Sequence, residues 1–210
     1  DQIGALSTDA IVALSSTQVA ALSSAQAVGL GSDQVAALES SDLKALSTAA
    51  LRALNSEQLA ALDSTQVTAL STAQVAALST TQLSELSTED FSAFTSTQLR
   101  ALGTAQVRAL TSAELEALDS DQIGALSTTQ VAALSTLQIS QLGSDDLNAF
   151  TSAQIRALTT AQLAGLGTTQ VSTLTTEDVA ALSSVQIQAL KSDQIGALST
   201  DAIVALSSTQ

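Results

Sequence analysis

The chain contains no histidine, cysteine, methionine, tryptophan, tyrosine or proline. Without His or Cys there is no imidazole base, no thiolate nucleophile, no disulfide framework and no ordinary zinc site. The usual axial ligands of a haem iron (His, Cys, Met and Tyr) are missing together. Ser and Thr are abundant, but no His stands ready to activate them and no G-x-S-x-G elbow occurs. Cations are scarce as well: six Lys and Arg stand against twenty Asp and Glu, a formal net charge of −14. Nucleic acids and anionic membranes attract basic clusters, so neither is an expected partner. No apolar run approaches the roughly 20 residues that span a bilayer. No basic segment followed by an apolar one opens the chain, so no signal peptide is expected within it. The sequence starts at Asp1 rather than at an initiator Met, which reads as a processed chain or a piece of a longer one.

What is present is a repeat. Leu recurs every eight residues from Leu6 to Leu206, and only Phe94 and Phe150 replace it. Counted from Ser7, residues 7–206 form 25 octads without insertion or deletion. No linker or charge block interrupts them, so residues 1–210 read as one octapeptide-repeat unit. The second residue of each octad is Ser or Thr, and the fourth is usually Gln, as in Gln18, Gln74 and Gln130. The fifth is Val, Ile, Leu or Phe except at Ala27, the seventh is mostly Ala, and the eighth is Leu or Phe. The variable sixth position carries Lys44, Arg52, Arg100, Arg108 and Arg156. The fifth and eighth residues therefore face a core, and the sixth faces water.

Strand alternation does not fit, because the two large apolar residues are three apart and β-branched and aromatic types do not dominate. A continuous helix does not fit either: eight residues make about 2.2 turns, so an apolar stripe would rotate by roughly 80° per octad. One short helix per octad remains. With Ser71 as N-cap, Gln74 falls at the third helical position, the spacing of a capping box, and Leu70 and Val75 flank the cap as a hydrophobic staple. With Thr72 as N-cap, the first residue becomes the junction, which suits Gly31, Asn55, Asp63, Gly103 and Gly143. The invariant hydroxyl favours the second frame and the Gln the first, and both stay open. A helix of about six residues is far short of the ~12 needed for independent stability. Neighbouring coils must supply the remaining burial, as in a solenoid. The expected fold is all-α, a superhelix of very short helices, one per octad, with the number of octads per coil left open.

The octads resemble the L-S/T-T-x-Q-V/I/L-x-A-L arrays of very long proteobacterial secreted or surface proteins, often labelled haem-utilisation or adhesion proteins. Residues 66–86 (QVTALSTAQVAALSTTQLSEL) and 127–134 (STTQVAAL) carry the resemblance best, and it extends over essentially every octad. It implies an extracellular or cell-surface, acidic, extended repeat region. The haem part of the label finds no ligand here.

Several groups of residues invite a functional reading. The acids Glu89-Asp90, Asp145-Asp146 and Glu177-Asp178, with Asp119 and Asp121, supply hard oxygens of the kind that bind Ca²⁺. Acids in a first helical turn also complement the helix dipole, and no calcium-loop motif accompanies them. The Ser/Thr row is a candidate ice- or glycan-binding ladder, against its simpler role in capping. Phe91, Phe94 and Phe150 sit at fifth or eighth positions and read as core. The expectation is no enzyme, no cofactor, no metal and no catalytic residue. In their place we expect a structural rod or filament, with an adhesin-like or ice- or glycan-binding module as the alternative. Residues 1–18 recur identically as 193–210, a period of 192 residues or 24 octads. That identity points to a segment of a longer array, or to copies that associate end to end.

Overall fold

The computed structural model describes residues 2–210. Among them are 25 α-helices of five or six residues, one 3-10 helix (Ile3–Ala5) and no strand. Each octad forms one helix, from α1 (Thr8–Val12) to α25 (Thr200–Val204), so helix number and octad number coincide.

The cap geometry shows which of the two capping frames the chain adopts. The first residue of each octad is the N-cap: Ser71 has φ −69° and ψ 156°, and its Oγ accepts from the Gln74 N–H at 3.2 Å. The return half of the box is the Ser71 N–H donating to Gln74 Oε1 at 2.8 Å. Of the two frames left open by the sequence, the one that makes Gly31, Asn55, Asp63, Gly103 and Gly143 junctions before the cap is not adopted. All five are N-caps in extended backbone, and no described residue has a positive φ. Asn55 and Asp63 are there because their side chains accept from the N–H groups of Gln58 and Gln66, at 3.0 and 2.7 Å. The three glycines keep only the backbone half of the box. Such short helices have almost no interior, so capping supplies much of their hydrogen bonding.

The fifth and eighth residues are the core. Val75 is fully buried and Leu78 is 4% exposed, and the same pair is buried in most octads. Lys44, Arg52, Arg100, Arg108 and Arg156 are all exposed. Phe91, Phe94 and Phe150 are buried, and the first two rings meet edge to face with centroids 5.3 Å apart, a favoured aromatic geometry.

The helices group into two compact units, one ending at Leu110 and one spanning Thr111–Gln210. Within each unit, helices pack on the third one along. In the first, α3 (Ser24–Val28) lies on α6 (Thr48–Ala53), and α9 (Thr72–Ala77) on α12 (Ser96–Ala101). In the second, α16 (Thr128–Ala133) lies on α19 (Ser152–Ala157), and α19 on α22 (Thr176–Ala181). Hydrogen bonds between successive coils span 25 residues, as from Ser24 to Ala49, up to 31, as from Gln74 to Leu43. A coil therefore takes between three and four octads.

Close approach of the coils is visible at Gly124. A Cβ there would lie 2.7 Å from the carbonyl oxygen of Ala149, on the next coil. Gly196 occupies the same place in an identical heptapeptide, residues 192–198 against 120–126, and a Cβ there meets nothing within 4 Å. Gly124→Ala is expected to destabilise by about 1–3 kcal/mol through overpacking. In the isolated 210-residue chain, where no further coil lies on it, Gly196→Ala should be neutral or gain up to about 1 kcal/mol of helix propensity. Thermal unfolding of the two variants side by side checks this pair, and equal effects would contradict it.

Candidate functional site

The one polar arrangement repeated throughout is built on the Gln at the fourth octad position. Local sequence places it at the third residue of its helix, where its Oε1 accepts from the N-cap N–H. Packing then buries it: Gln58, Gln74, Gln106 and Gln162 are between 1% and 6% exposed. Its Nε2 points at the coil behind. Gln74 Nε2 donates to the carbonyl oxygens of Leu43 and Leu46, both at 2.8 Å. Gln106 does the same to Val75 and Leu78 at 3.0 and 2.7 Å, and Gln162 to Val131 and Leu134 at 2.9 and 2.7 Å.

The octad 71–78 shows why this clasp is needed. The Val75 N–H reaches the Ser71 carbonyl, and the Leu78 N–H reaches that of Val75. The Ser71 and Gln74 N–H groups are taken by the capping box. The Leu78 carbonyl remains without a partner in its own octad and that of Val75 keeps a second lone pair free, both in buried residues. The amide of Gln106 satisfies both. A single side chain thus caps the start of its own helix with its acceptor and the end of a helix one coil back with its donors.

Asp at the fourth position works differently. Its side chain is one methylene shorter and, when ionised, offers only acceptors. One carboxylate oxygen accepts a Ser hydroxyl 26 residues back: Ser16 to Asp42 at 2.6 Å, Ser64 to Asp90 at 2.8 Å, Ser120 to Asp146 at 3.0 Å, and Ser152 to Asp178 at 3.1 Å. The other turns to its own cap where a bond forms, as from the Ser87 hydroxyl to Asp90 and the Thr175 hydroxyl to Asp178, each at 2.6 Å. The second member of each acidic pair is therefore a bond between coils. The first members, Glu89, Asp145 and Glu177, are exposed. Asp119 is an N-cap that accepts from the Gln122 N–H at 2.7 Å, and Asp121 is exposed. Among the described residues no three acidic side chains converge on one point.

The hydroxyl row divides in two. First-position hydroxyls cap. Second-position hydroxyls are the first helical residues, and several of them bridge coils, including Ser24 to the Ala49 carbonyl and Ser112 to Gln141 Oε1. The second position is thus not the cap. In the first unit a groove of about 590 Å³ opens between coils, lined by Ser40, Lys44, Thr68, Ser71, Thr72 and Thr95 among others.

The donor half of the clasp escapes a reading from sequence. A capping box accepts Glu as well as Gln, so the strong preference for the amide is the only local sign that a donor is required. Glu114 shows the cost of its absence. One oxygen accepts from Thr111, through the N–H at 2.6 Å and the hydroxyl at 2.7 Å. The other oxygen is buried without a partner. Glu114→Gln is expected to raise stability by about 1–2 kcal/mol, because it replaces an unpaired buried acceptor with an amide. A higher thermal midpoint checks this, and a lower one would count against the donor argument.

Among the described residues no helix is long and apolar enough to cross a membrane. The ALTTAQ repeat matches the chain at residues 1–32, 35–72, 84–115, 103–136, 139–176 and 174–208. Those six letters stand unaltered at residues 157–162, where they run from the end of one helix through its neighbour's cap to the clasp residue Gln162. No curated protein matches the chain.

Proposed function

The chain belongs to the ALTTAQ repeat family, and from that premise we propose that it is a structural component of an extracellular rod or filament on or from a bacterial surface. The observation that carries this reading is the clasp. Within each unit the same Gln amide recurs as a bond to the coil before it, as at Gln74 and Gln162, where the side chain caps its own helix and its Nε2 donates to two carbonyls one coil back. Repetition of a nearest-neighbour bond extends an array without a special site, the energetics of a solenoid. We propose further that it is not an enzyme and holds no cofactor, since its chemistry-bearing residues, Gln, Ser and Asp, act as structural bonds. The array continues either within a longer chain or through copies joined end to end. The extracellular setting rests on the resemblance described above.

Negative-stain electron microscopy of the purified chain, with fractionation of the native source, tests the reading. Elongated particles or filaments and recovery from the cell surface or medium would support it. A compact particle from the cell interior would overturn it. The groove lined by Lys44 and hydroxyl groups favours one second reading, an adhesin-like module that binds a glycan. Saturable retention on a glycan array, lost in Lys44→Ala, would favour that reading.

A further inference from the structure

The third residue of each octad is exposed in most of the array, and it is commonly Thr, Asp, Glu or Ala. One stack in the second unit departs from this. Helices α14 (Ser112–Glu116), α17 (Thr136–Gln141), α20 (Thr160–Gly165) and α23 (Ser184–Ala189) lie one upon the next. Their third-position residues are Ala113, Leu137, Ala161 and Val185. Leu137 and Val185 are each 65% exposed, and both alanines are exposed. The neighbouring stack of α15 (Ser120–Gly124) and α18 (Ser144–Asn148) carries Asp121 and Asp145 at the same position. The octads of α17, α20 and α23 contain no charged residue at all, in a chain whose net charge is −14.

From this we infer that the Ala113–Leu137–Ala161–Val185 stripe is a lateral docking face for a second copy of the chain. Two features select that occupant. The stripe alternates small, large, small, large at equal intervals of three octads. A two-fold axis between Leu137 and Ala161 sets Leu137 against the partner copy's alanine at 161, and Val185 against its alanine at 113. Each large side chain then meets a methyl-sized notch, and the pattern is its own complement, as a two-fold contact requires. Charge is the second feature. Copies of a strongly acidic protein repel one another, so close approach is favoured at a face poor in acids: α17, α20 and α23 carry none, and Glu116 on α14 is the one exposed acid in the four octads of the stripe. The stripe is narrow, well below the ~1,000 Å² expected of a stable interface, so the pairing is weak and reversible. Repeated along a longer array, such contacts hold rods side by side. The inference concerns sideways pairing and stands apart from whether the chain extends end to end.

Sedimentation equilibrium of the full chain over a wide concentration range tests it, with circular dichroism to confirm that each variant is folded. The expected result is a reversible monomer–dimer equilibrium. Leu137→Asp with Val185→Asp should weaken it at least about tenfold, since each substituted residue enters a two-fold interface twice. Ala161→Leu is the sharper variant. It makes the face more apolar but fills the notch, so this register requires weaker dimerisation, again by about tenfold. Mixing Leu137→Cys chains with Ala161→Cys chains under an added disulfide oxidant such as oxidised glutathione should give mixed disulfide dimers faster than either variant alone. A monomer at all concentrations would overturn the proposal. So would tighter association in Ala161→Leu, or preferential cross-linking of Ala161→Cys chains to themselves.

Discussion

Gln74→Glu is expected to open the array between the octads at 39–46 and 71–78, at a cost of about 3–5 kcal/mol, the range for an uncompensated buried charge. Gln74 is 2% exposed, and its Nε2 lies 2.8 Å from two carbonyl oxygens. A carboxylate keeps the capping half of the residue's work and turns two attractions into repulsions. Gln74→Ala should cost less, about 1–3 kcal/mol, because the two carbonyls lose their donor but face no charge. Gln18→Glu supplies the control. Gln18 makes the same box with Ser15 but is exposed, so its substitution should stay within about 0.5 kcal/mol. A long array need not unfold in one step, so hydrogen exchange read octad by octad is the measurement, beside urea unfolding. If Gln74→Glu and Gln18→Glu behave alike, the donors of the clasp contribute nothing.

Leu134→Asp is the second large effect, expected at about 4 kcal/mol or more. Leu134 is 4% exposed, and its carbonyl accepts from Gln162. A carboxylate in that seam has neither water nor a donor, one of the few mechanisms that give so large a loss. Arg108→Ser, at an exposed sixth position, should remain within about 0.5 kcal/mol. Limited proteolysis distinguishes them: early cleavage near residue 134 in one variant and a wild-type pattern in the other. Equal sensitivity would mean that the inward and outward faces are wrongly assigned.

Much of the architecture is legible in the octad. Val or Ile and a Leu three residues on, with Ser or Asp four residues before the first of them, specify a short capped helix and its buried side. The acidic pairs are legible only in part. That Asp90 and Asp178 lie in first helical turns follows from their spacing, whereas their bonds to Ser64 and Ser152 join residues 26 apart, a distance no local pattern encodes. The choice of cap was undecidable locally because Ser and Thr suit both positions. Packing decides it: with the first residue as cap, the Gln amide sits where one end reaches that cap and the other reaches the coil behind.

Residues 1–18 and 193–210 separate the two levels of information, because their sequences are identical. Ser7 caps α1 and Ser199 caps α25, each accepting from an alanine N–H, at 3.2 and 3.1 Å. The helix, its cap and its apolar side come from the sequence alone, since bonds over three or four residues need no distant partner. Burial does not follow. Ile11 is 0% exposed and its counterpart Ile203 is 41%, while Leu6 is 39% exposed and Leu198 is 8%. The tertiary structure decides these values, because the apolar surface of an eight-residue unit is removed from water only by the coil stacked against it.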